Sequence, residues 1–409
     1  MPAKSVMPRK KRLIATLLAF ACLLVIGDQP FLNADTGALP ARTGGGVEQS
    51  AQPSAVRKGE LLNPKDAPYN AKGDGVTDDS AALQAWLTAG GTRLADGTYR
   101  IVTGLTLAGN NRRFFTENAK ILADKANITA LTVTGNNANI RAHVDGNNKA
   151  AYGASVTGAG AVIENGRYEN FRSTTQSARG IDVRTAGGVT VRNNVIRNVV
   201  SVGDTTLGNG NGASRGIVLS ASATATAASV ILANRIENIT GEEGDAIQVL
   251  FFDGTSSTPF NSGRTTVSDN DIRNVSRRFI KIQASDVTVQ RNKLNFYLTT
   301  TRANPSSAIS IIQSEYVKVL GNEINTNLTT SCIAVTGASG TPLRGIEIRD
   351  NVLRQEEEKT SVGIYLSWTT SPIVRDNSIY GGGVPVWIGS STNALATGNA
   401  PYPGVAASR

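Results

Sequence analysis

From Leu61 onward, apolar and polar positions alternate in short bursts rather than in helical stripes. One phrase recurs: two or three alternating apolar residues, a polar gap, an Asn, then an apolar residue one or two positions later. It reads Val189-Thr-Val-Arg-Asn-Asn194, Val230-Ile-Leu-Ala-Asn234, Thr266-Val-Ser-Asp-Asn270 and Val287-Thr-Val-Gln-Arg-Asn292, and returns at Asn322, Asn351 and Asn377. The steps between these Asn residues are 40, 36, 22, 30, 29 and 26 residues. A variable period of that size marks a repeat architecture.

Each unit carries a second short strand with period-two patterning. The series runs Gly180-Ile-Asp-Val183, Gly216-Ile-Val-Leu219, Ala246-Ile-Gln-Val249, Phe279-Ile-Lys-Ile282, Ala308-Ile-Ser-Ile311, Cys332-Ile-Ala-Val335, Gly363-Ile-Tyr-Leu366 and Pro385-Val-Trp-Ile388. Strands this short cannot close a core alone, but stacked coil on coil they bury a continuous aliphatic column. An Asn at the same corner of every coil can bond its neighbours above and below. The pattern predicts an all-β chain wound as a right-handed parallel β-helix. A β-sandwich would not need one Asn at the same place in every unit.

Asn70-Ala-Lys-Gly-Asp-Gly-Val-Thr-Asp78-Asp79-Ser80 is turn chemistry ending in N-cap residues. Ser80 to Thr88 then reads as a short helix burying Leu83, Trp86 and Leu87 and capping the open end of the solenoid. This string, with Leu94-Ala-Asp-Gly97-Thr-Tyr99, resembles the opening of the pectate-lyase-like superfamily. Val144-Asp-Gly146-Asn and Ile163-Glu-Asn165-Gly-Arg-Tyr are similar to its next coils. The resemblance covers roughly residues 61–390. It implies the β-helix fold and a carbohydrate ligand, and leaves open which reaction is catalysed.

The first residues have a different character. Lys4, Arg9, Lys10, Lys11 and Arg12 precede fourteen apolar or small residues, Leu13 to Ile26. That run is short for a bilayer span of about twenty residues and fits an export signal, with an uncleaved anchor as the alternative. The expected organisation is a signal segment over 1–36, a Gly/Pro/Ser/Ala-rich linker over 37–60, one β-helix domain over 61–395 and a tail over 396–409. Such a chain is secreted or periplasmic, and meets a membrane only through an uncleaved N-terminal segment.

Composition narrows the chemistry. The chain has 409 residues and a formal charge of +9. Residues 1–58 carry eight Lys/Arg against three Asp/Glu, which leaves 33 against 29 in the body. A nearly balanced body speaks against nucleic acid as a partner. Two Cys, Cys22 and Cys332, and a single His143 exclude a disulfide framework and a His/Cys zinc site. Asp74, Asp78 and Asp79 are explained by turn formation and capping, His143 by an ordinary surface position, and Glu356-Glu357-Glu358 by a solvated loop.

Chemistry emerges when the second strands are aligned vertically. With Ile181, Ile217, Ile247 and Ile280 pointing inward, one outward column reads Asp182, Val218, Gln248, Lys281, Ser310, Ala334, Tyr365, Trp387. The residues two before each inward Ile read Arg179, Arg215, Asp245, Arg278, Ser307 and Ser331. Adjacent coils lie about 4.8 Å apart, so Asp245 falls between Arg215 and Arg278, beside Lys281 and Gln248. The patch is either a salt-bridge ladder or a groove for an acidic sugar chain. Gly244-Asp245-Ala246-Ile247 resembles half of the polygalacturonase G-D-D-x-I motif, and Arg278-Phe-Ile-Lys281 its R-x-K motif. The second adjacent Asp and the Gly-His-Gly are missing, and paired-carboxylate hydrolysis needs a second acid, from Asp182, Glu242 or Glu243.

A uronate lyase needs other parts: a group that neutralises the substrate carboxylate and a base that removes the neighbouring proton. Lys281, Asp245 and Arg278 suit it as catalytic residues, with Lys281 the base. Arg215, Gln248, Asp182, Arg179, Tyr365 and Trp368 are the candidate substrate contacts, and Asp245 the candidate ligand of a Ca²⁺ ion. Tyr365, Trp368 and Trp387 either stack sugars or pack under a loop. The expected partner is an acidic polysaccharide cleaved by β-elimination. A polygalacturonase-type hydrolase, a C5-epimerase and a non-catalytic polysaccharide-binding β-helix are the alternatives. Because residues 1–58 lack repeats, a chain starting at Gly59 should keep the parental far-ultraviolet β signal and cooperative unfolding. Loss of cooperativity would show that the linker packs on the body.

Overall fold

The computed structural model describes residues 62–401, apart from 185–186, 209, 223–225, 252–260, 297–305, 327–329, 356–361 and 382. The Glu356–Glu358 stretch lies outside the described residues. Strands stack into three parallel sheets of 13, 11 and 11 strands among the described residues. One coil shows the plan: Ser229–Leu232 lies in the second sheet, Arg235–Thr240 in the first and Glu243–Phe251 in the third. The two strand series seen in the sequence are the second and third sheets. The third strand of each coil begins with the apolar residues just after the corner Asn, as in Val195–Ser201.

In-register stacking builds the core. Ile181, Ile217, Ile247, Ile280, Ile309, Ile333 and Ile364 pair successively through the third sheet. All seven are fully buried. Each such side chain stabilises the fold by about 1.5–3 kcal/mol relative to exposure. Gly216 shows how closely the coils approach, since a Cβ there would fall 2.5 Å from the carbonyl oxygen of Ala246.

The corner Asn residues form one buried ladder. Asn234 Nδ2 donates to Asn270 Oδ1 at 3.0 Å and to the Val191 carbonyl at 2.9 Å. Asn270 Oδ1 also accepts the Asn234 backbone N–H at 3.0 Å. The same bonds link Asn194, Asn292, Asn322, Asn351 and Asn377, and end at Asn399. The repeat therefore runs past residue 395, where the sequence placed the start of a tail: Leu395–Thr397 and Ala400–Pro401 are still sheet strands.

The helix Ser80–Thr88 buries Leu83, Trp86 and Leu87 at the N-terminal end, and the Trp86 indole donates to the Leu62 carbonyl at 2.8 Å. Asp79 does not cap it with its side chain. Its carboxylate accepts the N–H groups of Lys72 and Gly73 at 2.7 and 2.9 Å, so it ties the preceding turn. His143 is bound rather than free at the surface, with Nε2 2.9 Å from Glu169 Oε1.

Replacing Asn234, Asn270 or Asn292 by Ala leaves buried backbone and amide groups of the adjoining coils unpaired. Each change is expected to cost roughly 1–3 kcal/mol, read from denaturant midpoints. Three variants that unfold like the parent would remove the ladder as a source of stability.

Candidate functional site

The third sheet brings the aligned charges together as the vertical reading requires. Arg179 pairs with Arg215, Arg215 with Asp245 and Asp245 with Arg278. In the parallel column, Asp182 pairs with Val218, Val218 with Gln248 and Gln248 with Lys281. Asp182, Val218, Gln248 and Lys281 point away from the aliphatic core because the adjoining Ile residues point into it. Asp245 and Arg278, two positions before an inward Ile, face the same way only because alternation breaks just before it, where Ala246 and Phe279 are also buried in the core.

They are not, however, an open row of charges. Asp245 and Asp182 are fully buried, and Arg215, Lys281, Arg278 and Gln248 are 5, 5, 7 and 8 % exposed. Burial demands pairing, and the pairing is extensive. Arg215 donates from Nε to Gln248 Oε1 at 2.8 Å and from Nη2 to Glu243 Oε2 at 2.9 Å, with Asp245 Oδ2 3.6 Å away. Arg277 Nη1 donates to Glu243 Oε1 at 2.8 Å, and Arg278 Nη1 reaches Asp245 Oδ1 at 3.4 Å. Gln248 passes the chain on to Gln283 Oε1 at 3.0 Å.

Two features of this network are left over. Asp245 Oδ2 has no hydrogen-bond partner. Lys281 has no hydrogen bond or ion pair to any described residue. Four basic side chains, Arg215, Arg277, Arg278 and Lys281, surround two carboxylates, Glu243 and Asp245. Burial lowers the Lys281 pKa from its ordinary value; Arg278 and Arg215 add to that effect, while Asp245 and Glu243 oppose it. Burial alone would raise Asp245, but the charges of Arg215, Arg278 and Lys281 outweigh it and hold the carboxyl below its ordinary range. Glu243 follows the same balance: burial raises it, Lys281 and the three Arg residues bring it down to about 2.

Glu243 is the member that sequence reasoning weighed only as a spare acid. Its spacing from Asp245, two positions along one strand, puts both on the same face, and that was the available signal. Arg277 carried none, because it stands beside the strand Arg278–Gln283 rather than in its alternation. Asp182 forms its own cluster two coils from Gln248, held by Arg179 at 2.8 Å and Arg184 at 2.6 Å. Arg179 also lies over the Tyr152 ring, 5.2 Å from its centre. Tyr365 shares the Lys281 column through Ser310 and Ala334, three coils on, and stacks on Trp387 at 4.6 Å and 6°. At about 4.8 Å per coil it stands outside the charged cluster. Trp368 sits at the bend after the strand Val362–Ser367 and is not part of the cluster either.

The residues do not fit the Ca²⁺ ion for which Asp245 was the candidate ligand. That ion takes six to eight oxygen ligands. Here two carboxylates are already committed to Arg215, Arg277 and Arg278, and a further cation would meet four like charges.

Comparison with known proteins agrees with the fold. Residues 260–400 match the family model described as a right handed beta helix region. No curated protein sequence matches the chain. Among solved structures, it is similar to the surface protein and adhesin PfbA of Streptococcus pneumoniae, at 15 % identity over 83 % of this chain and 97 % of that one, with a TM-score of 0.53. The A-module of the Azotobacter vinelandii mannuronan C-5 epimerase AlgE4 is similar at 19 % identity over 81 % and 98 %, with a TM-score of 0.53. The corresponding AlgE6 module gives 18 % identity over 83 % and 99 %, and 0.50. The chain is a right-handed parallel β-helix, the fold that its resemblance to the pectate-lyase-like superfamily implies. No helix of the described residues is long and apolar enough to cross a membrane.

The depressed carboxylate of Glu243 has a consequence for acid stability. Its contribution is fully present above the ordinary value of 4.5 and is lost as pH falls toward about 2. Stability measured by denaturant between those limits should therefore fall with pH. Glu243→Gln should be less stable at neutral pH and should fall less steeply in that window. An unchanged slope would mean that other carboxylates govern acid unfolding.

Proposed function

We propose that the chain is an exported enzyme acting on an acidic, uronate-containing polysaccharide, which it cleaves by β-elimination at the third-sheet cluster. The observation that carries this reading is the buried excess of basic groups, which contains one lysine with no hydrogen bond or close ion pair to a described residue. A uronate brings the carboxylate that such a cluster lacks. Arg278 and Arg215 neutralise it, which acidifies the adjacent C5–H. Lys281, made easier to deprotonate by burial, takes that proton on Nζ. The C4–O bond then breaks as the C4–C5 double bond forms, and the departing oxygen takes a proton back from Lys281. Asp245 orients Arg278 throughout. Glu243 and Arg277, the more exposed members at 17 and 24 %, mark the side from which the substrate enters. The fold is shared with mannuronan epimerase modules, whose chemistry on a uronate would begin with the same proton removal and end in reprotonation.

A second reading has its own observation. Complete burial of Asp245 suits a structural ladder in a polysaccharide-binding or surface β-helix, and an adhesin shares the fold. Incubation with uronate polymers separates the readings. Ultraviolet absorbance of an unsaturated product together with new reducing ends means elimination, and new ends alone mean hydrolysis. Lys281→Ala should lower turnover by roughly 10²-fold or more, as for loss of a general base, while Lys318→Ala leaves it unchanged. Parental activity in Lys281→Ala would exclude the lysine as base. No product at all, with a more stable Lys281→Met variant, would make the cluster a ladder.

A further inference from the structure

The bend between the third and second sheets has a left-handed residue in coil after coil, and steric crowding decides its identity. Asn111, Asn137, Gly160, Gly188, Arg264 and Asp286 occupy it before residue 316, and Gly345, Ser371 and Asn393 after it, with φ between 41° and 67°. Most of their N–H groups bond the carbonyl just before the equivalent residue of the next coil, as Asp286 does to Glu315 and Tyr316 to Arg344. Besides Arg264, with φ 41°, the bulky member is the aromatic Tyr316, with φ 54°. It is also 51 % exposed, so burial does not offset the strained backbone. Its ring lies against Gly345, where a Cβ would fall 2.5 Å from Cδ1.

The neighbouring groups are matched to one kind of ligand. Arg344 Nε donates to Glu315 Oε1 at 3.2 Å, while its Nη atoms have no bond to a described residue. The Glu315 backbone is fixed by the Ser285 hydroxyl at 2.9 Å. A cleft of about 540 Å³ opens beside the pair, lined also by Gly340, Thr341, Pro342 and Thr370. The cleft is open to solvent rather than enclosed. It offers a carboxylate beside a guanidinium and two threonines, and the exposed Tyr316 follows Glu315 in the chain with its ring against Gly345, next to Arg344. A pyranose uses such groups: an aromatic face for its apolar C–H face, and polar partners for vicinal hydroxyls that both donate and accept. The ion pair sums to zero charge, so nothing here favours an anion, in contrast to the basic third-sheet cluster.

We propose that Tyr316, Glu315 and Arg344 form a second saccharide-binding site, selective for a neutral, hydroxyl-rich sugar and separate from the charged cluster. It stands on its own observations and does not need the lyase reading. Affinity electrophoresis and calorimetry with neutral cello-, malto-, manno- and laminari-oligosaccharides, alongside polygalacturonate, test it. The parent should bind at least one neutral oligosaccharide, and Tyr316→Asn should weaken that binding by roughly tenfold or more. Because Asn is native to this corner, Tyr316→Asn should melt at or above the parental temperature. Arg344→Ala should also weaken binding, whereas Lys281→Ala should leave it intact. A parent that binds none of the neutral sugars overturns the proposal, as does binding that survives in Tyr316→Asn. A Tyr316→Asn variant that melts lower would make the ring structural, and binding of polygalacturonate alone, lost in Lys281→Ala, would assign recognition to the third sheet.

Discussion

Everything in this molecule depends on successive coils lying in exact parallel register, and the buried asparagine ladder enforces it. Each side-chain amide bonds the next coil through its Asn and the preceding coil through a backbone carbonyl, as Asn234 does with Asn270 and Val191. An amide buried at a corner has no water to turn to, so a coil shifted by one residue would leave several such groups unpaired. The aliphatic stack stabilises compactness without choosing a register as sharply. The ladder makes the choice.

Once register is set, residues far apart in sequence become neighbours by position within the coil. Arg215, Asp245 and Arg278 are consecutive in one column, and Gln248 and Lys281 in the next. Low dielectric around them strengthens each interaction and makes every unpaired group costly. The network answers most of that cost internally, through Glu243 bridging Arg215 and Arg277. What it leaves without a hydrogen bond to a described residue is Lys281 and one oxygen of Asp245, and the proposed mechanism draws on the lysine. The same rule of columns brings out Tyr316, the aromatic residue at a corner otherwise held mostly by Gly, Asn, Asp and Ser.

The vertical comparison of short strands was enough to bring Asp245, Arg278, Lys281, Arg215 and Gln248 to one place. It worked because parallel stacking repeats a fixed spacing and the inward Ile residues give an unambiguous phase. It could not bring in Glu243 and Arg277 as partners, since which carboxylate a guanidinium reaches depends on rotamers and on side-chain length. Nor could it place Tyr365 and Trp387 relative to the cluster without counting the coils between them. Whether the patch is a paired ladder or a groove was likewise beyond it, because exposure is set by what lies over the sheet and not by the direction a side chain points.

By itself, then, the sequence determined the solenoid, its strand series, its capping helix and its corner asparagines. These are local or strictly periodic features, and a repeated unit states its packing rule many times over. Tertiary structure alone decided how deeply the charges are buried, which of them pair, and that Asp245 is enclosed by cations unfit for a bound Ca²⁺. It alone also showed that Asn399 extends the ladder beyond the expected end and that Tyr316 stands strained and half-exposed at its corner. Those outcomes rest on distances between side chains of different coils and on solvent access, and neither is encoded in the spacing of residues along one chain.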